Sequence, residues 1–91
     1  MMITDVKIRK IFKDHEKLEA LVSVTFDNKF AVHDIKIIRG DNRTFVAMPS
    51  KRDKTGRFRD IVHPIEASAR EQMEKEVIEG YNKAKSEMDT E

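Results

Sequence analysis

Residues 45–65 read FVAMPSKRDKTGRFRDIVHPI, and the organisation of the chain turns on them. Phe45, Val46, Ala47 and Met48 at one end, and Phe58, Ile61 and Val62 at the other, are strand-like. Between them Pro49 cannot donate to a ladder and Gly56 permits a left-handed turn. Lys51, Arg52, Lys54, Arg57 and Arg59 place five cations on a segment with little apolar content of its own. The expectation is a basic loop displayed by a strand pair.

Upstream of this stretch the pattern is that of a sheet. Val6 and Ile8 alternate with Asp5, Lys7 and Arg9, which predicts a short first strand with one buried face. After a polar turn at Lys13, Asp14, His15, Glu16 and Lys17, the residues Leu18, Ala20, Val22, Val24 and Phe26 line one face, with Glu19, Ser23 and Thr25 opposite. Asp27 and Asn28 tolerate positive φ and suit a tight hairpin into a strand beginning near Lys29. Phe30 and Val32 keep the even phase, whereas Ile35 and Ile37 take the odd one. A one-residue bulge at His33–Asp34 would keep both pairs on the core side. Gly40, Asp41, Asn42 and Arg43 supply the next turn, into a fourth strand from Thr44 to Met48; a short fifth is expected from Phe58 to Val62.

Downstream the period changes. Ile65, Ala69, Met73, Val77, Tyr81, Ala84 and Met88 recur every three or four residues, which is one face of an α-helix. Pro64 suits its start, and Ser68 with Glu71 could form a capping box if the start is later. Gly80 costs about 1 kcal/mol relative to Ala inside a helix, so the last turns are expected to fray. No repeat, low-complexity run or linker divides the chain. Residues 1–91 therefore read as one α+β domain, with a β-sheet portion at 1–63, a C-terminal helix at 64–88 and a loose tail at 89–91. The architecture is an antiparallel sheet of four to five strands covered on one face by the long helix. Its exposed edges, and a chain too short to bury a large core, predict a homodimer formed through sheet edges.

Composition limits what such a domain can do. With no cysteine there is neither a disulfide framework nor a thiolate metal site nor a Cys nucleophile, which fits a cytoplasmic protein. The start, MMITDVKIRKIF, lacks the unbroken apolar run of a secretory signal, and nothing approaches the roughly 18 apolar residues of a membrane span. The net charge of +1 conceals a partition. Residues 1–38 carry 7 Lys/Arg against 6 Asp/Glu, residues 39–60 carry 7 against 3, and residues 61–91 carry 4 against 8. A basic middle and an acidic C-terminal region make a polarised surface, on which local field decides what approaches.

Several chemistries find no frame here. His15, His33 and His63 are not at spacings that bring imidazoles together, so no metal site is expected, and His63 before Pro64 suits a structural hydrogen bond. No Ser, Thr or Cys stands beside a base held by a third group, and the glycines at 40, 56 and 80 stand alone rather than in a phosphate loop. Neither an enzyme, nor a cofactor, nor a small-molecule substrate is expected. Glu71, Glu74, Glu76 and Glu79 read as the solvated face of the helix, and its apolar stripe reads as core; Tyr81 could turn its hydroxyl to a partner or to water.

The basic loop admits two readings. Its cations could merely keep a sheet edge soluble. Alternatively, with just Asp53 and Asp60 nearby to neutralise five cations, it could attract phosphates; Arg39 and Arg43 would extend the patch if both loops lay at one end of the sheet. A dimer would double it, giving two separated contacts of the kind a duplex site can use.

The run TFDNKFAVHDIKII at 25–38, followed by residues 45–65, closely resembles the stage V sporulation protein G family of small bacterial regulators. The likeness begins at ITDVKIRK, residues 3–10, reaches the start of the C-terminal helix and weakens beyond about Ile78. It implies a small α+β dimer that binds DNA, and in some members RNA, and that affects septation, sporulation and gene expression. It also implies that the segment matching SKRDKTGRFRD contributes the contacts, through Lys51, Arg52 and Lys54 first. The expected function is thus site-tolerant nucleic-acid binding, since phosphate contacts position a protein without specifying sequence. The rival expectation is a protein-interaction adaptor in septation, acting through the sheet edge or the acidic helix.

Overall fold

A computed structural model describes residues 2–14 and 16–89, the side chains of residues 88 and 89 excepted. His15, the last two residues of the expected loose tail, and the Met88 side chain of the helical stripe lie outside what is described. The elements are β1 (Ile3–Ile11), β2 (Leu18–Phe26), β3 (Phe30–Arg39), β4 (Thr44–Ala47), β5 (Ser50–Arg52), β6 (Phe58–Asp60) and α1 (Ala67–Asp89). The first four form an antiparallel sheet in the order β1-β2-β3-β4, while β5 and β6 pair separately as a two-stranded ribbon.

The sheet follows the hydrophobic phase of β2. Ala20, Val22 and Val24 are fully buried and Phe26 nearly so, and α1 lies over this face with Met73, Val77 and Tyr81. At the β2–β3 turn both central residues, Asp27 and Asn28, have positive φ (53° and 54°), and Lys29 N–H donates to the Phe26 carbonyl at 2.9 Å. That is the geometry whose twist matches the flanking strands.

The expected bulge in β3 is present. Three residue steps of β3, from Val32 to Ile35, span two of β2, from Val22 to Val24, and Asp34 takes a φ of 63°. Val32, Ile35 and Ile37 consequently all reach the core, as the change of phase requires.

A second bulge overturns one expectation. Leu18 pairs with Ile38 and Ala20 with Ile37, so Glu19 is the extra residue of β2. It is therefore not on the face opposite Ala20. It is buried beneath α1, where its carboxylate accepts a 2.6 Å hydrogen bond from the Tyr81 hydroxyl and pairs with Arg39.

The helix starts at Ala67, three residues after the expected start. Its first backbone bond runs from Arg70 N–H to the Glu66 carbonyl at 3.1 Å, which puts Ser68 inside the helix and not at a cap. Ile65, expected to begin the buried stripe, precedes the helix and is 89% exposed. At Gly80 the helix passes close to the sheet, since a Cβ built there would lie 3.1 Å from Val6 Cγ1. The glycine that weakens the helix locally permits its approach to β1. The fifth strand does not join the main sheet: Pro49 ends pairing after β4, and Phe58 and Ile61 are about two-thirds exposed.

Candidate nucleic-acid interface

The basic loop is itself an ordered hairpin. Ser50 pairs with Asp60, Lys51 with Arg59 and Arg52 with Phe58, and at its base Ile61 N–H donates to the Pro49 carbonyl at 2.8 Å. Three residues per strand with no apolar face cannot hold a hairpin alone. Asp53 supplies the missing constraint.

Its Oδ1 accepts from Thr55 N–H at 2.9 Å, the Thr55 hydroxyl at 2.6 Å and Arg57 N–H at 3.1 Å, while Oδ2 accepts from Arg59 Nε at 2.8 Å. The backbone closes the same turn, with Asp53 N–H donating to the Arg57 carbonyl and Gly56, at φ 85°, donating to the Asp53 carbonyl. The Thr55 hydroxyl first, then the Arg59 guanidinium, hold the Asp53 carboxyl down at about 2. The clamp is thus charged at any pH at which a cell operates. Asp followed by Thr and Gly is a turn signal visible in the sequence, and it is the signal by which the hairpin could have been foreseen.

Strand alternation sorts the cations. Lys51 and Arg59 stand directly opposite each other on one face of the ribbon, and Arg52 and Phe58 on the other. The Arg52 guanidinium lies 5.0 Å from the centroid of the Phe58 ring. Like charges directly opposite one another destabilise a strand pair, and an anion lodged between them relieves that cost. Arg59 is partly compensated by Asp53, whereas Lys51, Lys54 and Arg57 form no salt bridge among the described residues.

Arg39 and Arg43 are not brought to this cluster. Arg39 ends β3 and Arg43 lies in the turn that enters β4, whereas the hairpin leaves from the other end of β4. Arg39 is paired with Glu19, and Arg43 with Glu74 of α1 at 2.5 Å. Five of the seven candidate cations are therefore gathered and two are separately neutralised.

The remaining polar candidates have local roles. His33 Nδ1 lies 2.7 Å from Ser23 Oγ on the sheet face away from the helix, and His63 Nδ1 donates to the Pro64 carbonyl at 3.1 Å. Near the base of the hairpin is an apolar groove of about 300 Å³ that no sequence pattern revealed. It runs between the Phe26–Phe30 turn and residues 62–64, and is floored by Val32, Met48 and Met73.

Comparison with known proteins finds relatives that match nearly the whole chain. The SpoVG family model matches residues 1–83. A "Putative septation protein SpoVG" of Clostridium botulinum (strain Alaska E43 / Type E3) is 54% identical over 91 residues, covering 100% of this chain and 99% of the relative. One from Caldanaerobacter subterraneus subsp. tengcongensis is 52% identical over 85 residues, covering 93% and 92% respectively. One from Clostridium acetobutylicum is 51% identical over 90 residues, covering 99% and 94%. With the sheet, the hairpin and most of the helix inside the matched span, the chain belongs to the SpoVG family.

Proposed function

We propose that this SpoVG-family protein is a dimeric, cytoplasmic, non-catalytic regulator that binds DNA and RNA through the β5–β6 hairpin, and that this binding underlies a role in septation and gene expression. The observation that carries the reading is the state of the hairpin cations. Lys51, Lys54 and Arg57 are uncompensated on a ribbon whose shape is set by Asp53, and Lys51 faces a second cation. Cations held in place without carboxylate partners favour phosphates, because an anion gains their field at little ordering cost. Lys51, Arg52 and Lys54 make the principal contacts, with Arg57 and Arg59 beside them. Arg39 and Arg43, paired with Glu19 and Glu74, stand outside this contact surface.

The salt dependence of binding tests this. If about six phosphates are neutralised per dimer, log Kobs falls against log salt with a slope of about −5. Changing Lys51, Arg52 and Lys54 together to Ala flattens that slope by several units. A flat wild-type response, or wild-type affinity in the triple variant, refutes the assignment.

The dimer is proposed through the edges of β1 and β4, whose outer sides have no partner strand among the described residues. A monomer mass by light scattering at micromolar concentration refutes it. One observation favours the adaptor as a second reading: the apolar groove, rimmed by Phe30, is a surface that proteins recognise. Pull-down from nuclease-treated lysate separates the two, since partners that survive nuclease speak for the adaptor and partners that vanish speak for nucleic acid.

A further inference from the structure

We infer that the hairpin takes unpaired bases, with Phe58 as a stacking platform and the turn cations on the flanking phosphates. Single-stranded nucleic acid, or the loops and ends of a folded RNA, is then its preferred ligand. The inference rests on the hairpin being the nucleic-acid interface and specifies what that interface holds.

Phe58 is 67% exposed, although a ring of its size normally seeks cover. The Arg52 guanidinium lies over the ring, 5.0 Å from its centroid, and about two-thirds of the residue stays open to solvent. Arg52 and Phe58 form the last pair of the ribbon before the turn, so the ring sits next to Lys54 and Arg57. A solvent-open ring backed by a guanidinium and flanked by free cations combines the two elements that single-strand binders use, a π-face for a base and positive charge for the backbone. A duplex cannot use the first element, because the faces of its bases are already stacked on their neighbours. A ribbon of this width does fit a major groove, but there Phe58 could touch just a thymine methyl and would leave its π-face unused. Stacking explains the exposure of the ring; groove insertion does not.

The test compares one sequence in two forms, an unstructured single-stranded oligonucleotide and its blunt duplex, by fluorescence anisotropy at fixed low salt. F58A is expected to weaken single-strand binding by roughly five- to one-hundred-fold and duplex binding by less than about twofold. F58L, which keeps apolar bulk without a π-face, behaves like F58A. F58W retains single-strand affinity, and its indole emission is quenched by the single strand but not by the duplex. Melting curves of all three variants should match wild type, as befits an exposed position. Equal losses on both forms, full single-strand affinity in F58A, or full rescue by F58L overturns the inference while leaving the hairpin an interface. Absence of salt-dependent wild-type binding to either form overturns both.

Discussion

Replacing Tyr81 by Phe isolates the contact that locks the helix to the sheet. Tyr81 and Glu19 are 4% and 8% exposed, their bond is 2.6 Å long, and Arg39 occupies the other carboxylate oxygen. A phenyl ring keeps the apolar packing beside Val77 and deletes just the hydroxyl. Hydrogen bonds to charged groups contribute about 1.5–3 kcal/mol, and here the carboxylate left behind stays buried. At about 2 kcal/mol, a domain of this size should melt roughly 8–16 °C lower.

The pH dependence follows from the shifts of the two groups. Burial first, and then the Glu19 carboxylate, push Tyr81 up to about 12 from an ordinary 10.0. Its contribution is complete below pH 10 and is lost as pH rises through 12. Glu19 is held below its ordinary 4.5, by the Tyr81 hydroxyl first and against the opposing effect of burial, with Arg39 adding to the lowering. Its contribution is complete above about pH 4.5 and fades as pH falls through the folded value. The stability gap between wild type and Y81F is thus widest at about pH 5–10 and closes on both sides. Urea unfolding followed by far-ultraviolet circular dichroism measures it, with E19Q completing a double-mutant cycle. A gap below about 0.5 kcal/mol at pH 7, or one that does not vary between pH 7 and pH 12, would refute the reasoning.

Asp53→Asn should lower nucleic-acid affinity severalfold with the melting temperature unchanged, because it loosens the hairpin and not the core; faster amide exchange at Thr55 and Arg57 is the check. Asp34→Gly should be neutral or stabilising, since it relieves a left-handed φ of 63°, whereas Asp34→Val should lose about 1–3 kcal/mol in urea unfolding. At Gly80 the gain of about 1 kcal/mol in helix propensity opposes a 3.1 Å approach to Val6, which is half-buried on an edge strand and can yield. Gly80→Ala should therefore raise stability slightly, and Gly80→Leu should lower it, both read from thermal melts.

What the sequence discloses depends on how local the cause is. The bulge at Asp34 was readable because Phe30 and Val32 change phase with Ile35 and Ile37, and just one extra residue reconciles them with a single core. The helix was readable from Met73, Val77 and Tyr81, but its start was not, since Ile65 continues the stripe in sequence and falls outside the helix in space. Glu19 shows the reverse problem. Strict alternation assigns it to the wrong face, and nothing nearby in sequence announces Tyr81, 62 residues later, as the hydroxyl that accommodates its burial. Phe58 and Ile61 look like core residues because apolar residues in strand-like runs usually are. Here Pro49 breaks the ladder first, and the strand they would extend is a separate ribbon.

The charge pattern becomes intelligible once the fold pairs distant residues. A basic segment at 39–60 and an acidic one at 61–91 suggest opposite poles, yet the carboxylates are distributed to a purpose the linear pattern hides. Glu19 holds Arg39 and Glu74 holds Arg43, so the cations at the start of β4 are spent on joining strands and helix. Beyond the other end of β4, Asp53 stands within the cluster, and its bonds shape the turn while neutralising Arg59 alone. Lys51, Lys54 and Arg57 keep their charge without a salt bridge among the described residues, and Arg52 keeps its charge over a ring. Internal pairing thus removes positive field where it would compete and leaves it where the backbone is prearranged. A protein with a net charge of +1 can in this way present a strongly basic contact on a single projecting ribbon.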